Sequence, residues 1–473
     1  MAKRLVSAIG IILFLFLAAA APWAQEAGSD LEALFGEEIV AEESSSGQAG
    51  MGAGANPLGG LLKTEAVRIG GSISGTVDIS GTWDRPWTAG FDLFAPDSQK
   101  LSPALKGFLF FDARPDEEFR VHGSFKTSWP FESTYKVLTT TTTSTSITVP
   151  YMRIFELFSD FQLGDRIYFR FGKATVKWGV GYFFSPADII NLEQINLFDP
   201  TAQREGPLHF RVLMPFGPSQ NTASLYAVFD TENPDFSTTA LAGKAEFVLG
   251  RYEIGLGAYY RNDTAERAAL TLTGPLGSFD IFAEGVVSRG SPKTFYSFST
   301  VAPYYSASEP ADHRDSIYFS GTAGFIYNDQ DNNITVIGQY YYNGEGYSES
   351  ERSSAITTLN TLLALPLPDS TKTGLKSLGK EYAYGSGMHY AAANLSYSEI
   401  GGSRLSASIL GLANLSDFSG LVQPSLSWKI ADRLKLTGSA LFFYGGPETE
   451  YGVLRPDNPV TLSLSLSAGT GNF

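Results

Sequence analysis

Cysteine is absent from all 473 residues. That excludes thiolate metal sites, disulfide staples and a lipid-modified cysteine anchor. Charge is sparse: Asp, Glu, Lys and Arg make up 18% of the chain, below the roughly 25% usual in soluble domains. Basic residues are the scarcer sign, 34 against 49 acidic, for a formal net charge of −15, which argues against nucleic acid as a partner. His122, His209, His313 and His389 stand at no metal-ligand spacing, so neither a metal nor another cofactor is expected. No glycine-rich phosphate loop leads from a strand into a helix, and no repeat of about 20–50 residues appears. After the N-terminal run, no stretch reaches the ~20 continuous apolar residues of a membrane helix.

What is present begins with targeting. Lys3 and Arg4 precede an apolar run from Leu5 to Ala20, and small residues follow. Residues 1–24 therefore read as a signal peptide cut after Ala24 or Ala21. Residues 25–66 form an acidic leader, free of Lys and Arg as far as Leu62 and ending in SSSGQAGMGAGANPLGG, a flexible-linker composition. Within it DLEALFGEEIV sets Leu31, Leu34, Phe35 and Ile39 near helical spacing. The leader is either a solvated acidic tail or a short amphipathic helix that docks on a periplasmic partner.

From Val67 onward the period is two. In FRVHGSFKTSW, Phe119, Val121, Gly123, Phe125 and Trp129 alternate with Arg120, His122, Ser124, Lys126 and Ser128. Alternate side chains of a strand point to opposite faces, so one face is oily and the other basic and polar. The pattern recurs from Val67–Trp83 to Thr461–Ala468 in stretches near ten residues, the length of a tilted membrane strand rather than of a soluble one. Short turns at Arg114, Gly164, Gly217, Gly250, Gly274, Asn328, Ile400 and Ala431 take turns with long connections such as 84–103, 130–150, 290–315 and 343–388. That alternation predicts an all-β, up-and-down antiparallel transmembrane barrel over 67–473, with about 18 strands and 16 as the alternative. A secreted β-sandwich or β-helix would need linkers or repeats that are missing. Trp83, Trp129, Tyr260, Tyr327, Tyr342, Trp428 and Tyr444 near strand ends suit girdles at the lipid interface. The chain ends VTLSLSLSAGTGNF; Phe473 falls out of phase with Leu462, Leu464 and Leu466, so a bulge at GTG or a degenerate assembly signal is expected.

One segment does not alternate: FGKATVKWGVGYFFSPADIINLEQINLFDPTAQREGPLHFRVLMP, from Phe171 to Pro215. Arg170, Gly172 and Lys173, then Trp178 and Gly179, then Pro186, Asp188 and Asn191, and finally Arg204, Gly206 and Pro215 resemble a pattern of porin-like bacterial outer-membrane β-barrels. That pattern is Arg-x-Gly-[Arg/Lys], Trp-Gly, Pro-x-Asp with Asn, then Arg-x-Gly before a Leu-Pro strand. Ala174 stands where the pattern commonly has Gln. The acidic DLEALF leader is similar to leaders of spirochaete outer-membrane proteins. The resemblance implies passive diffusion of small or hydrophobic solutes across a bacterial outer membrane, with outer-membrane lipid and the barrel assembly machinery as partners. No room before Val67 is expected for assembly repeats or a plug domain.

The segment is too apolar to stand in solvent, since Tyr182, Phe183, Phe184, Ile189, Ile190, Ile195, Leu197 and Phe198 need cover. It is expected to fold into the barrel, with residues 178–207 narrowing the lumen and Ser185–Pro186 starting a short helix. Lys173, Lys177, Asp188, Arg204 and Glu205 are the expected constriction charges; a lid that only fixes barrel shape is the alternative. Arg120, His122, Lys126, Arg170 and Arg211 are expected to line the lumen. His122 and Ser124 share the spacing of His-x-Ser outer-membrane phospholipases, but Phe125 and Lys126 replace the Asn-Gly expected there, and the pair sits on the polar face. No orienting acceptor or oxyanion site is visible, so no enzyme is expected. The other function class left open is a surface-binding, adhesin-like or structural protein anchored by its barrel.

Overall fold

A computed structural model describes residues 67–469, except 116–117, 130, 139–143, 151, 164–166, 193, 217–220, 233, 263, 383–384 and 454–456. The expected signal peptide, the acidic leader and Phe473 lie outside the described residues. The strands run β1 (Val67–Trp83), β2 (Ser98–Ala113), β3 (Phe119–Ser128), β4 (Glu132–Leu138), β5 (Ser144–Pro150), β6 (Arg153–Leu163), β7 (Ile167–Lys173) and β8 (Leu208–Phe216). They continue as β9 (Asn221–Val228), β10 (Ala240–Leu249), β11 (Tyr252–Tyr260), β12 (Glu266–Leu276), β13 (Phe279–Arg289), β14 (Phe295–Phe298) and β15 (Tyr305–Ser308). The last are β16 (Ile317–Asp329), β17 (Ile334–Tyr342), β18 (His389–Tyr397), β19 (Leu405–Asn414), β20 (Ser419–Ala431), β21 (Leu434–Tyr444) and β22 (Val460–Gly469).

The hairpins β4–β5 and β14–β15 stand apart; the other strands form one 18-stranded antiparallel sheet. β22 returns to β1, with Val460 opposite Trp83 and Gly469 opposite Ser74, so the sheet closes. Closure removes every open edge. Short connections (250–251, 277–278, 330–333, 432–433) lie at one end and long ones (174–207, 290–316, 343–388, 445–459) at the other. The short-turn end is the periplasmic one in barrels of this kind.

The exterior is apolar. Ile69, Leu163, Leu225, Leu241, Leu256 and Leu270 are all half or more exposed. In water such a surface would aggregate; lipid satisfies it, and a closed barrel leaves no backbone group unpaired inside the bilayer. The protein is therefore an outer-membrane β-barrel. Trp83 departs from the expected girdle. It is buried, because the 84–97 connection folds over it: Phe91 stands 5.0 Å away and the indole donates to the Asp92 carbonyl.

The long connections build an outer cap. Residues 343–388 carry α1 (Glu349–Ala364) and α2 (Asp369–Gly379). Ser348 and Glu351 close a reciprocal capping box at the start of α1. Ile356 of α1 packs with Tyr347 and Tyr382, while Leu359 and Leu362 meet Leu375 of α2. Arg352 is fully buried, ion-paired to Asp417 and donating to the Glu448 carbonyl at 3.2 Å. Glu450 accepts from Gly385 N (2.6 Å), Gly387 N (3.1 Å), Tyr390 Oη (2.7 Å) and Asn414 Nδ2 (2.6 Å). Burial pushes its carboxyl above the ordinary glutamate value, opposed by these donors and by Arg352.

Candidate functional site

β7 stops at Lys173 and β8 starts at Leu208; the chain between them leaves the wall. Its contacts fall on side chains whose strand neighbours are the exposed apolar residues, that is, on the inward phase. Trp178, almost fully buried, packs on Tyr226 of β9 and Ala242 of β10, and its carbonyl accepts from Lys244 Nζ at 3.0 Å. Glu284 of β13 accepts from Val180 N (2.5 Å), Gly181 N (2.6 Å), Ser185 Oγ (2.9 Å) and Ala187 N (2.8 Å). Gln339 of β17 accepts from Phe183 N at 2.7 Å and donates to the Phe184 carbonyl at 2.6 Å.

Phe183 then joins one buried apolar cluster with Ala392, Leu412, Leu421 and Phe443. These four are successive partners across β18, β19, β20 and β21. β18 and β19 stand halfway round the barrel from β7 and β8, so the segment traverses the interior from wall to wall. Backbone that is neither helix nor strand at membrane depth needs such internal partners. Two glycines permit the close approach. A Cβ at Gly179 would lie 1.7 Å from Ser185 Oγ, and one at Gly206 would lie 1.8 Å from the Ala174 carbonyl oxygen.

The expected helix at Ser185–Pro186 does not form. Only one turn is made, with Asp188 N donating to the Ser185 carbonyl. The Ser185 hydroxyl and the Ala187 N–H, which would serve a helix start, are both taken by Glu284.

The residues of the signature interlock. Asn191 accepts from Val176 N at 3.0 Å and donates to Asp188 Oδ1 at 2.7 Å. Asp188 pairs with Arg204, whose carbonyl accepts from Thr175 Oγ1 at 2.6 Å. Glu205 is paired to both Lys173 and Arg153. Lys173, Asp188, Arg204 and Glu205 thus come together as two clamps, Lys173–Glu205 joining the ends of the segment and Asp188–Arg204 tying its middle to its end. Lys177 stays exposed and makes no ion pair among the described residues.

The residues expected along the lumen sit on the inward phase, Arg120, His122, Arg170 and Arg211 on the short-turn side of these clamps and Lys126 opposite Arg153 at their level. Asp112 of β2 accepts from Arg120 Nε at 2.7 Å and lies 3.4 Å from His122 Nδ1. Asp160 of β6 takes Arg170 through Nε and Nη2, at 2.7 and 3.0 Å. Lys126 Nζ lies 3.3 Å from the ring centre of Phe155, which a bulge opposite Ser124 and Phe125 adds to the inner wall. Arg211 faces Arg170 across β7–β8, and its buried Nε finds no hydrogen-bond partner among the described residues. Ser124 Oγ is likewise buried without a partner, so no His122–Ser124 nucleophile pair is made.

No protein-family model and no curated protein matches the chain. Solved structures are similar to it. OccK11 (OpdR) of Pseudomonas aeruginosa is 8% identical, with 85% of this chain and 95% of that chain covered and a TM-score of 0.46. The outer membrane protein opdK of the same organism is 10% identical, covering 86% and 99%, at 0.44. OccK9 (OpdG), also from that organism, is 10% identical, covering 86% and 98%, at 0.46. At these values the barrel is defined by its own closed strand pairing rather than by the likeness.

Proposed function

We propose that this barrel is a passive outer-membrane channel for small or hydrophobic solutes, narrowed by residues 178–207. The observation that carries the reading is the anchoring of that segment on Glu284 and Gln339 of the inner wall. A pure anchor for surface loops has no need to hold a chain segment across its interior. The clamps at Asp188–Arg204 and Lys173–Glu205 keep the segment in place, while Lys177 beside it and Asp199 within it are exposed charges in no ion pair among the described residues. The test is ion conductance of the purified protein in a planar bilayer. Discrete channel steps support the reading, and a folded barrel without them removes it.

A further inference from the structure

Charge is unevenly spread over the short-turn end of the barrel. Round β11 to β17 that end is acidic, with Glu253, Asp280, Asp329 and Asp331 against Arg251. From β19 round to β1 it is basic: Arg404, Lys429, Arg433, Lys435 and Arg68 stand against Glu399 and Asp432. Arg404 is already engaged, 3.8 Å from Asp432.

Lys429 and Lys435 are directly opposite each other across β20–β21. Both are on the inward phase, in step with Leu421 of β20 and Phe443 of β21, which are buried inside the barrel. Like charges so placed repel, and the inward residue opposite Lys435 on β22 is Ser467, not an acid. Arg68, on the inward phase of β1, is opposite Asp112, whose carboxylate is taken by Arg120. Lys435 and Arg68 are exposed and in no ion pair among the described residues. A cluster of inward cations at a wet mouth fits an anionic partner.

The same chain carries such a partner beside this sector. β1 enters the wall at Val67, at the short-turn end. Before it, residues 25–62 hold seven acids, from Glu26 to Glu43, and no Lys or Arg. The lengths also agree. Lys435 is opposite Ser467, and Ser467 is opposite Thr76, nine residues along β1 from Val67, or roughly 30 Å at the strand rise. Residues 44–66, between the acids and the wall, are rich in Gly, Ser and Ala, and a flexible chain of that length spans about 25–29 Å. A tether whose reach matches the span gives the highest effective concentration.

We propose that the acidic segment 26–43 docks in the mouth of its own barrel, on the inward lysines of β20–β21 and on Arg68, and closes the channel from the periplasmic side. Attraction between exposed charges reaches about 10 Å at 0.1 M salt and about 3 Å at 1 M, so salt releases the closure. The effect on current rests on the channel reading, whereas the docking does not.

The test has one readout for each. Carbodiimide coupling of the purified full-length protein, which joins carboxylate to amine with no spacer, should link acids of 26–43 to Lys429 or Lys435 at 0.1 M KCl. At 1 M KCl the coupling should fall at least about fivefold. No such link at 0.1 M, or the same yield at 1 M, overturns the docking. In planar bilayers at 0.1 M KCl, the Lys429→Glu, Lys435→Glu variant should stay open at least about fivefold longer than the unchanged protein. A variant with the seven leader acids changed to their amides should do the same, and the two sets combined should add nothing further. Equal open times in all four proteins keep the channel and overturn the closure. A protein that couples as expected but never conducts keeps the docking and loses the channel reading.

Discussion

Ser185 donates its hydroxyl to Glu284 at 2.9 Å although the two lie 99 residues apart in the chain. Three backbone N–H groups converge on the same carboxylate, which makes Glu284 the main fastening of the crossing segment. Glu284→Ala should cost about 1–3 kcal/mol for each donor that water does not reach. The barrel should still fold, while channel current becomes noisier and larger. Bilayer recordings beside a thermal melt in detergent check both effects.

Gly179→Ala acts on the same contact, since the new methyl would meet Ser185 Oγ and, at 2.7 Å, Glu284 Oε1. The combined Gly179→Ala, Glu284→Ala variant should lose little more than either change alone, because one fastening is removed once. Additive losses in melting would mean that the two residues act separately.

The charges at the segment divide into two kinds. Arg204→Glu breaks the pair with Asp188 and should loosen the segment, whereas Lys177→Glu touches no ion pair among the described residues. Reversal potentials in a salt gradient should move toward cations in Lys177→Glu at unchanged thermal stability. Arg204→Glu should lower stability as well.

Lipid exposure predicts a sharp contrast between faces. Leu270→Lys places a charge on the exposed outer face of β12 and should cost about 2–4 kcal/mol or block insertion. Ser320→Lys points into the barrel interior and should be tolerated. Heat-modifiable gel mobility after refolding into liposomes separates the two.

The cap has its own pH dependence. Glu450 has a folded value raised by burial above the ordinary 4.5. The folded chain therefore binds its proton at a pH where the unfolded chain has released it. The stability this group contributes is fully present below the ordinary value and is lost as pH rises through the raised one. Limited proteolysis of the 343–388 connection should slow as pH falls through that window. In Glu450→Gln the trend should vanish.

The barrel was legible because its period of two and its alternating turns are local signals. The expected Val67–Trp83 strand coincides with β1, and the expected Thr461–Ala468 strand lies within β22. The helices of the cap also had a local signal, the Ser348–Glu351 capping box followed by Ile356, Leu359 and Leu362, but it lies inside a connection that reads as a loop. Glu284 and Gln339 could not be found that way. On their strands they are ordinary inward polar residues, and the partners that single them out are about a hundred residues or more distant. For the same reason Ser185 reads as a helix cap until Glu284 claims its hydroxyl.

The most direct test of the crossing segment's role is the single-channel conductance of a variant in which Tyr182–Phe198 is replaced by a short glycine bridge. Opening that much of an 18-stranded cross-section should raise conductance several-fold in a barrel that still melts as a folded one. Unchanged conductance in a well-folded variant would show that solutes do not pass this segment, and would contradict the constricted-channel account.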